Sequence, residues 1–266
     1  MCTKINYINT KKKIAVSART MDFASPMGTK AGLFKAGLNL HDRVEGKNLG
    51  VTKYDFKAKY SDIGFTVLGK HFGVLAVSDG LNEAGLSIGT LWLPSTTFDA
   101  SLRCPDDCVS GITLPQLILG TCKDIDDVIK LFEANPSVNH DGEEVLVGTI
   151  RVNVPIEYIQ QYVTVHYVMA DITGAQYVVE FETRDGKAGV PVFYKDPYGV
   201  TTNAPKFSWH KDNLHNYVGL TEKFNITDGK IMGNKIDTTG FGNNQRAYLV
   251  VVYPPTVMFV PWCLSR

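Results

Sequence analysis

Residues 1–23 read MCTKINYINTKKKIAVSARTMDF, with two loosely alternating segments at 4–8 and 13–17 around Asn9, Thr10 and a lysine run. The pattern predicts a β-hairpin with Cys2 at the start of its first strand. Paired strands lie ~4.8 Å apart, so the hairpin returns Arg19 and Asp22 to the neighbourhood of the chain start. Removal of Met1 would leave Cys2 with a thiol and a free α-amine on one residue. A free α-amine titrates near ~8 and a free thiol near ~8.5. One residue could then supply both a nucleophile and the base that activates it. An Arg beside a thiol favours the thiolate, and an Asp can accept a hydrogen bond from the amine. The other reading of Arg19 and Asp22 is a surface ion pair.

Outward from this stretch, composition narrows the class. The 266 residues are 44% hydrophobic and 20% charged, which suits a globular core. The 27 basic and 27 acidic side chains cancel, so no basic excess points to nucleic acid. The five cysteines, Cys2, Cys104, Cys108, Cys122 and Cys263, are odd in number and do not read as a disulfide framework. Cys104 and Cys108 lack the spacing and His partners of a zinc site and read as free thiols or a local redox pair. Residues 1–13 carry four lysines and no apolar core of a secretory signal, so the expected location is cytoplasmic.

Residues 23–50 read as a long loop with a functional role. Three short strands are predicted at 54–60, 64–69 and 74–78. The Asp79-Gly80 and Asn82-Glu83-Ala84-Gly85 steps mark a turn before the next apolar strand, which ends at Leu91-Trp92-Leu93-Pro94. Asn82 is either an oxyanion donor or a turn residue. Residues 112–121 are apolar, and 124–134 predict an amphipathic helix between Lys123-Asp124 and Asn135-Pro136. Strand character returns at 145–151, 163–170, 176–182 and 190–193, with a hairpin turn at Asp171-Ile172-Thr173-Gly174. Glu180 is either a buried, partnered carboxylate or an outward residue. Pro205 keeps Ala204 out of the helical region, leaving Asn203 at a strand end with its side chain available. A further helix is predicted at 211–219. Residues 247–264 carry no charge, but Pro254, Pro255 and Pro261 argue against a membrane-spanning helix. No repeat or linker is seen, so residues 2–266 read as one domain with an atypical apolar tail from 247.

Four stretches together resemble the choloylglycine hydrolase and penicillin V acylase family of N-terminal-nucleophile hydrolases: Met1-Cys2-Thr3, Arg19-Thr20-Met21-Asp22-Phe23, Asp79-Gly80-Leu81-Asn82-Glu83-Ala84-Gly85-Leu86, and Thr202-Asn203-Ala204-Pro205 through Asn213-Leu214-His215-Asn216-Tyr217. Their order matches the family over roughly residues 2–246. The resemblance implies an α+β fold, a four-layer αββα sandwich of two antiparallel sheets between helices, and hydrolysis of a linear, non-peptide amide through a thioester. It implies Cys2 as nucleophile, Arg19 and Asp22 holding its thiol and amine, Asn82 and Asn203 as oxyanion and amine-orienting residues, and Arg246 as the family's late arginine. The chemistry needs no metal or organic cofactor. Met21, Phe23 and Trp92 are candidates to line the acyl site, and Leu-Trp-Leu-Pro leans toward a penicillin V-type or other N-acyl amide rather than a conjugated bile salt. Acyl-homoserine lactones are another possible class. The partner is a small-molecule N-acyl amide, and the resemblance implies a homotetramer. The last twenty residues depart from the family, as a truncation or altered reading frame would explain. Missing strands would leave a sheet edge and apolar surface open. The rival function is an inactive ligand-binding or interaction protein on the same scaffold.

Overall fold

In a computed structural model, the chain is described over residues 2–12, 14–22, 28–40, 56–66, 76–98, 108–111, 113–153 and 164–214, with short backbone segments at 43–44, 47–48, 230–231, 234–235, 248–250 and 260–262. Two compact units meet at position 206/207 in the chain. In the first, Met1–Lys206, the strands that build the two larger sheets are β1 (Cys2–Asn9), β2 (Ile14–Met21), β3 (Lys30–Phe34), β4 (Asp62–Thr66), β5 (Val77–Asn82) and β6 (Ser87–Trp92). After helices α1 (Leu114–Thr121) and α2 (Ile125–Leu131) come β7 (Asn135–Val138), β8 (Glu144–Val147), β9 (Val165–Ala170), β10 (Gln176–Arg184), β11 (Lys187–Lys195) and β12 (Val200–Thr202). A nine-stranded sheet has the order β7-β8-β11-β10-β9-β6-β5-β4-β3, and a three-stranded sheet the order β12-β1-β2. Every neighbouring pair in both is antiparallel, and the fold class is α+β.

The large sheet uses its two faces differently. Along β5 and β6, Gly80 and Ile88 point to one side, Asp79 and Gly89 to the other. On the first side lies α1, whose seven residues from Leu114 to Gly120 are all buried. A Cβ at Gly80 would strike Leu119 Cδ1 and sit 3.0 Å from Ile63 O, so the missing side chain is what lets the helix settle. Tyr167 and Phe181 meet edge-to-face at 5.5 Å in this core, as do Phe132 and Phe193 at 5.7 Å. On the second side lies the β1–β2 hairpin, with Lys4 against Gly89. Ile63, Phe65 and Leu81 share that side and keep 53%, 45% and 53% exposure.

The expected hairpin forms, and it runs further than the apolar alternation suggests, pairing Cys2 with Met21 and Asn9 with Ile14. The helix expected over 124–134 is α2, capped by Asp124, whose Oδ1 accepts the Asp127 N–H at 3.0 Å. The Asp171–Gly174 turn joins β9 to β10 as expected. Three expectations are corrected. Asp79-Gly80 is not a turn but the middle of β5; the chain reverses at 83–85, where Gly85 takes φ +91. The 23–50 stretch is not all loop, because β3 pairs with β4 at the sheet edge. Asn135-Pro136 does not merely end a helix but opens edge strand β7, where a missing proline donor costs nothing on the solvent side. In the second unit, Phe207–Arg266, α3 (Phe207–Leu214) starts four residues before the helix expected at 211–219. Residues 248–250 and 260–262 pair there as two short strands. No helix among the described residues is long and apolar enough to cross a membrane.

Candidate active site

Strand β1 turns Cys2, Lys4 and Asn6 to one buried face. Across the hairpin, Lys4 stands directly opposite Arg19. Two cations in that position repel, unless an anion sits between them. Asp79 from β5 is that anion. Its Oδ1 accepts from Lys4 Nζ at 2.9 Å, and its Oδ2 accepts from Arg19 Nη1. Arg19 Nη1 also donates to the Ser78 carbonyl at 2.9 Å, and its Nη2 reaches Cys2 Sγ at 3.5 Å. The three charged side chains are only 2%, 10% and 13% exposed. Burial pulls the Lys4 ammonium below its ordinary value, with Asp79 opposing that shift and Arg19 adding to it.

The other edge of β1 is held by β12. Thr202 Oγ1 donates to the Cys2 carbonyl at 2.6 Å. Behind Thr202, His166 Nε2 lies 2.9 Å from the Thr202 carbonyl, which can only accept, so Nε2 carries a proton. His166 Nδ1 lies 3.4 Å from Glu180 Oε1, both side chains being buried. Glu180 is therefore the buried, partnered carboxylate of the two readings left open by the sequence. One residue past Thr202, Asn203 Oδ1 accepts from the Trp92 N–H at 3.1 Å, and the Ala204 N–H donates to Trp92 O at 3.0 Å. The end of β6 thus clamps the corner that carries Asn203.

Asn82 is not in this cluster. Its Nδ2 donates to Leu119 O at 2.9 Å and Cys122 O at 2.7 Å, while its Oδ1 accepts from Ala84 N at 3.1 Å and Leu86 N at 3.0 Å. Both amide hydrogens and both carbonyl lone pairs are committed. Asn82 therefore ties the β5–β6 turn to the end of α1 and has no hydrogen left for an oxyanion. Met21 stands opposite Cys2, and Asp22 follows it at the surface. Trp92 is 48% exposed rather than buried in the core. Phe23 and Arg246 lie outside the described residues. A cavity of about 710 Å³ opens between the hairpin and the large sheet, with Arg19 and Asp79 on its polar wall and Met21, Ile63, Phe65 and Leu81 on its apolar one.

With this geometry in place, comparison with known proteins assigns the chain. The family model of linear amide C–N hydrolases, choloylglycine hydrolase family, matches residues 2–248. The chain belongs to the choloylglycine hydrolase family. It is 30% identical over 169 residues to a bile salt hydrolase/transferase of Clostridium perfringens, covering 63% of this chain and 45% of that protein. It is 22% identical over 210 residues to a penicillin V acylase of Pectobacterium atrosepticum, covering 77% and 50%. The chain thus spans about half the length of the curated relatives it matches. Among solved structures, a variant of the conjugated bile acid hydrolase from Clostridium perfringens superposes with a TM-score of 0.60 at 21% identity, over 84% of this chain and 59% of that one. A penicillin V acylase from Agrobacterium tumefaciens gives 0.58 at 22%, over 81% and 56%. These likenesses show a shared fold.

For this choloylglycine hydrolase family member, sequence reading missed Lys4, Asp79, Thr202 and His166. Lys4 carried a signal: it falls on the same alternation as Cys2, an inward place for a cation. Asp79 was hidden by its Gly neighbour, which reads as a turn.

Proposed function

We propose that the chain hydrolyses a linear amide, with Cys2 as the nucleophile once Met1 has been removed. The observation that carries this is the Arg19 guanidinium on the Cys2 sulfur, with Thr202 fixing the same residue's carbonyl. Arg19 favours the thiolate electrostatically. The thiolate attacks the amide carbon, and the carbonyl electrons move onto oxygen. Asn203, oriented by the Trp92 N–H, donates to that oxyanion; losing one such donor costs about 10²–10³ in rate. The intermediate collapses with cleavage of the C–N bond, and the α-ammonium of Cys2 gives its proton to the leaving amine. Water, deprotonated by the α-amine, then attacks the thioester and releases the carboxylic acid and the thiol. Asp22 orients the amine, and Arg246 supplies the family's late arginine.

The substrate is a penicillin V-type or other N-acyl amide in preference to a conjugated bile salt. The half-exposed Trp92, whose main chain holds the Asn203–Ala204 corner, with Met21 opposite Cys2, supports an aromatic or fatty acyl group. Residues 2–266 form one αββα hydrolase domain, working in the cytoplasm as a homo-oligomer. The family match supports a single domain over residues 2–248, because it runs through the 206/207 division.

The test is intact mass of the purified protein, then amine release from penicillin V and from a glycine-conjugated bile salt. A mass lacking Met1, with release abolished in Cys2→Ala, is expected. Undiminished hydrolysis by Cys2→Ala overturns the mechanism, and retained Met1 with binding but no turnover favours a ligand-binding protein.

A further inference from the structure

We propose that Lys4 is a positioning residue for the reaction, acting through Asp79 and Arg19 to keep a net positive charge on the Cys2 sulfur; this rests on Cys2 being the nucleophile. Three charged side chains are wired in series: Lys4 Nζ to Asp79 Oδ1 at 2.9 Å, Asp79 Oδ2 to Arg19 Nη1, and Arg19 Nη2 to Cys2 Sγ at 3.5 Å. Arg19 and Asp79 alone would sum to zero beside the thiol. Lys4 adds the second cation, so the group carries one net positive charge. In a buried place that charge is screened less by salt than it would be at the surface.

The fold makes room for this lysine. A Cβ at Gly89 would strike Lys4 Cδ and lie 2.9 Å from both Lys4 Cε and Asp79 Oδ1. Lys4 is 2% exposed, and its ammonium has Asp79 as its hydrogen-bond partner. A lysine used only to cover apolar surface keeps its head in water; this one does not. Among the described residues, the other charged or titratable groups near Cys2 are its own α-amine once Met1 is removed, Asp22, which follows its cross-strand partner, and His166 with Glu180, which reach Thr202 from the far side.

The experiment reads the thiol, not turnover. The rate of Cys2 alkylation by iodoacetamide is followed against pH by mass spectrometry of the N-terminal peptide, in the full chain. Lys4→Met is expected to slow alkylation at pH 7 about tenfold, the effect of one unit of differential stabilisation, and to move the pH profile upward. Lys4→Gln keeps a donor for Asp79 but no charge, and is expected to behave like Lys4→Met. Lys4→Met combined with Asp79→Asn restores one net positive charge and is expected to return the rate to within about threefold of the parent, since Arg19 is then uncompensated. A rate and profile unchanged in Lys4→Met overturn the proposal, as does a Lys4→Gln protein that matches the parent. A double variant no faster than the single one also overturns it, because a purely structural lysine gives no such recovery. If no amide is hydrolysed by any form, the functional reading fails while the alkylation series still stands or falls alone.

Discussion

Asn82 commits its whole amide to main-chain groups, so its replacement is a stability experiment rather than a kinetic one. Asn82→Ala strands two carbonyls at the end of α1 and two N–H groups in the β5–β6 turn. Leaving buried polar groups unpaired costs about 1–3 kcal/mol each at most, and part is recovered by relaxation. The expected loss is about 2–4 kcal/mol of unfolding free energy, read as a lower denaturant midpoint at constant slope. If Asn82 were an oxyanion donor, the variant would keep its midpoint and lose turnover instead. Cys122 makes the complementary point about thiols. Burial pushes it up to about 11, with Thr121's hydroxyl pulling the other way, so it stays protonated at neutral pH. In native protein Cys122 is expected to resist iodoacetamide while Cys2 reacts; equal labelling of the two would contradict this. A cysteine's type says nothing about which of these environments it meets.

At the level of elements, two features of the sequence are read correctly for local reasons. The hairpin follows from alternation on both sides of a polar turn, and α2 follows from an Asp at its N-cap and acidic residues in its first turn. The failure at Asp79-Gly80 is equally physical. The glycine serves helix packing, not chain reversal, and only α1 lying on the sheet reveals it. Gly80→Ala is expected to destabilise by about 1–3 kcal/mol, because Leu119 is fully buried and cannot swing away. Thermal unfolding of the variant measures this, and an unchanged melting temperature would mean that α1 shifts at no cost.

Across the whole molecule, α1 is tied to the sheet by Gln116, whose Nε2 donates to Asp62 Oδ2 at 2.8 Å. Burial pushes the Asp62 carboxyl up to about 6, while that hydrogen bond pulls it down. The unfolded carboxylate titrates near ~3.9, so the native state binds this proton more tightly. Unfolding free energy from this group therefore falls as pH rises from about 4 to about 6 and stays low above it. Asp62→Asn is expected to stabilise the protein by about 1–2 kcal/mol at pH 7.5 and hardly at all at pH 4. Urea midpoints at the two pH values check this, and an equal gain at both would assign the effect to something other than charge. The return of Arg19 to the neighbourhood of Cys2 was legible in the sequence, because a hairpin's pairing is local and short. The same holds for the α2 cap and the Asp171–Gly174 turn. Asp79 between Lys4 and Arg19, Asn203 against Trp92, and the withdrawal of Asn82 from the site were decided by the tertiary structure. These contacts join residues 75, 111 and 37 positions apart, and which of them meet depends on which face of the large sheet receives the helix and which the hairpin. Local spacing carries no record of that choice, since it is set by how the two layers pack.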